Sequence, residues 1–126
     1  MSKKEDSYQH SLIWLFLAST KAGADAKAEV RPYLDAMGSG WPAPAVKLFM
    51  GTMGVEALLE AARNADETTA LKRLCEAHFF IGQYYLLKGE SAKANRAFEQ
   101  AIATDVRQYH EFVYAKWELQ RTSASK

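Results

Sequence analysis

Apolar residues recur along this chain at three- and four-residue spacing and almost nowhere alternate, so the pattern predicts an all-α protein. Alanine is abundant and β-branched residues are sparse, which removes the compositional case for strands. The clearest segment follows Asp66, a good N-cap. There ETTALKRLCEAHFFIGQYYLL runs without a breaker until Gly89 offers a left-handed stop, predicting a helix from Glu67 to Leu87 or Lys88. Ser91 would cap a second helix, AKANRAFEQAIAT, and Asp105 a third that carries Tyr109, Val113 and Trp117 along one face. The short turns between them make neighbours antiparallel. Upstream, helices are predicted from Ser7 or Tyr8 to about Ala22 and from Asp25 to Met37, the second bent or interrupted at Pro32. GSGWPAPA reads as a turn whose Pro42 and Pro44 suit the first turn of a short helix through Phe49 and Met50. VEALLEAARN forms another helix after Gly54. The ends MSKKEDS and TSASK are polar and lack periodicity, so residues 1–7 and 122–126 read as tails around one helical domain, 8–121.

Composition adds limits. A chain of 126 residues with 48% hydrophobic side chains can bury a core without disulfides, and Cys75, the only cysteine, has no partner for one. Lysine and arginine number 16 against 15 acidic residues, a net charge of +1 that gives no sequence-wide field for nucleic acid or anionic lipid. The longest apolar stretch, residues 12–18, is far shorter than the roughly 20 residues of a membrane-spanning helix. That stretch belongs to LIWLFLASTKAGADA, which lies behind Lys3 and Lys4, ends in an Ala-x-Ala pattern and so imitates a secretory signal. Glu5 and Asp6 spoil the positive region, and a helix apolar on nearly every side suits burial on more than one side. The stretch is therefore assigned to the fold and the cytoplasm is expected, the periplasm being the alternative.

From His78 the chain reads H-F-F-I-G-Q-Y-Y, with Ala94, Phe98 and Ala101 following. Glycine within a helix costs about 1 kcal/mol relative to alanine, so Gly82 is expected to admit a close neighbour, with Ala94 and Ala101 as the matching small surface and Phe98 and Tyr85 filling the space beside it. Ile81, Gly82, Tyr85, Ala94 and Phe98 stand at the spacings of the tetratricopeptide repeat, W-x-x-L-G-x-x-Y then A-x-x-x-F, which the segment resembles. His78 stands where that pattern has tryptophan, and Val106 where it has proline. In addition, GADAKA, which opens at Gly23, is repeated 66 positions later as GESAKA, opening at Gly89. That interval is close to two units of roughly 34 residues, the middle one matching poorly. The run from LIWLFLASTKAG through WPAPAVKLFMG to the last repeat also resembles bacterial tetratricopeptide proteins of the NlpI lipoprotein type. Their N-terminal cysteine anchor does not carry over, since Cys75 lies mid-helix. The resemblance implies antiparallel hairpins stacked as a short solenoid, closed by a C-terminal capping helix.

Candidate chemistry is thin. Cys75 and His78 lie three apart on one helix, but no second ligand pair or base accompanies them, so a buried cysteine and a histidine in the tryptophan position is the preferred reading. His10 and His110 lie in neighbourhoods without catalytic partners, and Glu56 and Glu60 read as a solvated pair. No nucleophile elbow, phosphate loop or zinc-binding helix motif occurs, so neither enzyme activity nor a metal or cofactor is expected. On the long helix, His78, Ile81, Gly82 and Tyr85 share the side turned to the hairpin, and Lys72, Glu76, Phe79, Gln83 and Leu86 share the other. The resemblance implies that this second set lines a concave groove for a peptide or partner helix, with Phe79 exposed between Glu76 and Gln83, unless another helix of the chain covers it. The lysines and asparagines of the family's two-carboxylate clamp are missing from that face, which disfavours chaperone tails. The expected function is that of an adaptor binding a protein or peptide. A homodimer through the same apolar surfaces, Trp117 included, is the alternative, followed by a regulatory subunit of a separately encoded enzyme.

Overall fold

The computed structural model describes the backbone of residues 3–107 and 110–124 and the side chains of residues 8–107 and 110–121. Among them are seven α-helices and no strand: α1 (Lys3–Lys21), α2 (Ala26–Val30), α3 (Ala43–Met50), α4 (Val55–Arg63), α5 (Glu67–Leu87), α6 (Ser91–Ala103) and α7 (His110–Ala124). A 3-10 segment, Arg31–Ala36, follows α2. The chain forms two compact units, one through Gly54 and one from Val55. The outermost helices begin and end within the stretches read as tails. Residues 1–2 and 125–126 lie outside the described residues.

In the first unit α1 packs on α2 and α3. Leu12, Ile13 and Phe16 enter its core, and the Phe16 ring lies 5.2 Å from that of Phe49 on α3. The apolar run is not buried all round as expected: Trp14 remains exposed, leaving α1 one core face rather than two. Beyond α1, Asp25 caps α2 by accepting the Ala28 N–H at 3.2 Å. α2 lasts five residues because Pro32 lacks the N–H that a continuing helix needs, and the chain tightens into the 3-10 segment instead. The buried Gln9 side chain then donates to the Gly38 carbonyl at 3.1 Å, tying α1 to the loop before α3.

In the second unit each helix from α4 to α7 packs on the next. Asp66 opens α5, accepting from the Thr69 N–H at 3.0 Å and the Thr69 hydroxyl at 3.2 Å. Both bonds hold its carboxyl below the usual range by favouring the charged form. Gly89 ends the turn after α5 at φ 75°. The Gly89 N–H donates to Leu86 and the Glu90 N–H to Tyr85, closing the helix with its last carbonyls satisfied. α5 and α6 then run antiparallel, and a Cβ at Gly82 would overlap the buried Phe98 ring. Ala94 and Ala101 are buried alongside, and Lys93 lies over the half-buried Tyr85 ring. The close contact expected of Gly82 is therefore present.

Three local expectations change. α6 begins at Ser91 itself, with Glu90 in the cap position and no capping side-chain bond. Asp105 ends α6 rather than capping α7: it sits at φ 59°, its N–H donates to Ile102, and its carboxylate pairs with Arg107. α7 also turns its predicted apolar stripe outward. Phe112 and Ala115 are buried, whereas Val113 and Trp117 are exposed, and Tyr109 lies outside the described residues.

The two GxxAKA elements agree in one respect only. Gly23 has φ 79° and the same pair of closing bonds, Gly23 N–H to Thr20 and Ala24 N–H to Ser19, so the turn is the same at both places. The buried faces differ. Ala94 is buried in α6, while its counterpart Ala28 is exposed and α2 buries Ala26 and Val30 instead.

Candidate functional site

The expected groove residues lie along α5 at alternating four- and three-residue steps, so they share a face as the spacing requires. The structure covers the middle of that face with α7. Phe79 is only 1% exposed, its ring 5.7 Å from Phe80, 6.0 Å from Phe98 and 6.0 Å from Tyr114 of α7. The expectation of an exposed Phe79 is thereby corrected: the side chain is core, and burying a ring of that size contributes about 2 kcal/mol or more. Glu76 is likewise buried, at 6% exposure, rather than a polar flank of an open groove. Gln83, half-buried, donates through Nε2 to Glu118 Oε2 at 2.7 Å. Lys72 and Leu86, towards the two ends of the face, are half-buried.

The contacts fix the direction of α7. Gln83 meets Glu118 and Phe79 meets Tyr114, each pair 35 residues apart, so α7 runs parallel to α5. Glu118 also accepts Arg121 Nε at 2.9 Å, a charge-assisted bond that raises the already high Arg121 pKa. Tyr114 and Glu118 are the partners of the α5 face that were not expected, and the signal for them in the sequence is their common offset of 35 residues from Phe79 and Gln83.

Cys75 and His78 have the environment of structural residues. Burial pushes the Cys75 thiol up to about 11, with the Glu111 and Glu76 carboxylates adding to the rise and a Thr104 hydrogen bond opposing it. A thiol so placed is protonated at neutral pH and is a poor nucleophile. His78 is shifted the other way: burial, then the Arg63 charge, disfavours its protonated form.

No family model matches this chain, and no solved structure matches it. No helix among the described residues is long and apolar enough to cross a membrane.

Proposed function

We propose that this chain is a non-enzymatic protein-interaction module built on tetratricopeptide-like helical units. The observation that carries the reading is the 35-residue offset between α5 and α7. A parallel helix at that distance, with an antiparallel helix between, is the arrangement that a unit of roughly 34 residues produces when the first helix of the next unit stacks on it. The intimate Gly82 and Phe98 contact supports the same reading of α5 and α6 as one unit.

The partner meets the ends of the α5 face, where Lys72 and Leu86 are half-buried on either side of the stretch that α7 covers. Affinity capture from the source cell tests this. The wild type is expected to retain a protein that Lys72→Glu/Leu86→Ala loses, both chains showing the same helicity and urea midpoint. Capture of the same set by both chains counts against the α5 face. An intrinsic hydrolytic activity that survives stringent purification counts against the function as a whole.

A further inference from the structure

Between α2 and α3 the chain crosses residues 31–40, none of which is buried. Both flanks are anchored. Val30 is 0% exposed at one end, and Trp41, Pro42 and Ala43 are buried at the other. The 3-10 segment Arg31–Ala36 makes up the first part of the crossing, and Leu34 and Met37 are no more than half-buried. Two neighbouring side chains of α1 tie it down. The Tyr8 hydroxyl donates to the Tyr33 carbonyl at 3.0 Å, and Gln9 Nε2 donates to the Gly38 carbonyl at 3.1 Å. The second tie comes with a penalty. Gln9 is 0% exposed, and its Oε1 has no hydrogen-bond partner among the described residues. A buried acceptor left unpaired generally forfeits more than one ordinary hydrogen bond returns, so the side chain that ties the crossing down also works against the closed form.

We infer that residues 31–40 form a strap that opens and closes over α1 independently of the helices on either side, with Gln9 as its half-satisfied latch. Local opening is cheapest where few apolar side chains are buried, and the large side chains that hold this unit together, Ile13, Phe16, Val30, Leu48 and Phe49, all lie outside the strap. Val30 and Trp41 mark its two hinges. Opening returns both amide atoms of Gln9 to water, which relieves Oε1 and offsets the loss of the Gly38 bond. The open form then presents the Tyr8 hydroxyl and the Gln9 carboxamide side by side on α1, a donor and acceptor set that the closed form withholds. Residues 31–40 thus act as a cover over a polar patch rather than as a passive connection. The strap lies wholly within the first unit, so its opening stands apart from the α5 face and from the reading of the chain as an interaction module.

Amide hydrogen exchange of the full chain, followed by NMR, tests the strap at two positions. The Met37 N–H, bonded to the Leu34 carbonyl at 3.1 Å, is released when the strap opens. The N–H of Leu48, a fully buried residue inside α3, is released only when the helix itself opens. After correction for intrinsic rates, Met37 is expected to exchange at least about 100-fold faster than Leu48. Tyr8→Phe removes one tie and should speed Met37 exchange by about 3-fold or more, with unchanged helicity. Gln9→Met keeps the length of the side chain but removes the unpaired acceptor along with the second tie, and it should slow Met37 exchange by about 3-fold or more. Opposite signs from two neighbouring ties are the signature of the latch. Equal protection at Met37 and Leu48 overturns the inference, because the strap then moves only with its unit. That wild-type comparison keeps the inference falsifiable even where Gln9→Met fails to fold. Indifference of Met37 to both variants also overturns it, the 3-10 turn then fraying without reference to α1. Faster exchange in folded Gln9→Met shows that Oε1 is satisfied in the closed form, as by an internal water, and overturns the assignment of Gln9 as a half-satisfied latch.

Discussion

A methyl group at position 82 has no room, because the ring of Phe98 already occupies the place where it would project. Phe98 is fully buried and cannot swing aside. Gly82→Ala gains about 1 kcal/mol of helix propensity, but overpacking of this kind costs about 1–3 kcal/mol. A net loss on the order of 1 kcal/mol is expected in urea titration. Adding Phe98→Leu should destabilise Gly82→Ala by less than it does the wild type, because the two positions share one space. A second residue-scale test concerns Asp105, left-handed at φ 59°. Asn tolerates that conformation, so Asp105→Asn should stay close to the wild type, whereas Asp105→Val should lose about 1–2 kcal/mol. At Cys75 the thiol held up at about 11 should resist iodoacetamide at neutral pH in the folded chain and react once urea unfolds it. Rapid alkylation under native conditions would contradict the buried environment described for it.

Among the elements, α5 was the most legible in the sequence. Asp66 and Gly89 bracket it, and the expected bounds agree with Glu67–Leu87. Pro32 likewise marked the end of α2. Less legible was the assignment of faces, because α5 carries apolar side chains on both sides and its own periodicity does not say which one another helix covers. Phe79 was expected in solvent because the tetratricopeptide resemblance implies an open groove on that side of α5, with cover by another helix of the chain as the alternative. Tyr114 and Glu118, some 35 residues on, turn that side inward. The same ambiguity explains α7, whose four-residue spacing of Val113 and Trp117 identified a face but not its direction. The connection between α4 and α5 offers a pH test. The folded-state pKa of His78 lies below the ordinary value of 6.5, so the unfolded chain binds more protons in the interval between the two. Stability should therefore be complete above about pH 6.5 and decline as pH falls through the interval to the folded-state pKa, with a charged His78 repelling Arg63. In His78→Gln the denaturation midpoint should lose that part of its pH dependence. An unchanged slope between pH 6.5 and 5 would exclude His78 as the source.

At the scale of the whole molecule, the two units and the exposed side chains decide what the chain meets in solution. Among the described residues the first unit exposes only Trp14 and Tyr33 of its large apolar side chains and the second Leu71, Leu87, Val113 and Trp117, few enough in each unit to suit small contacts with other proteins better than a permanent dimer. Sedimentation is thus expected to give the monomer mass of 14.1 kDa across the micromolar range. The most direct measurement of the central claim is photo-crosslinking in the source cell, with a photoreactive amino acid placed at position 86 or 117 of the full chain. The expected result is a discrete adduct with a different polypeptide at one or both positions. Adducts of the chain with itself alone, or none at either position, would contradict the assignment of this molecule as a module that binds other proteins.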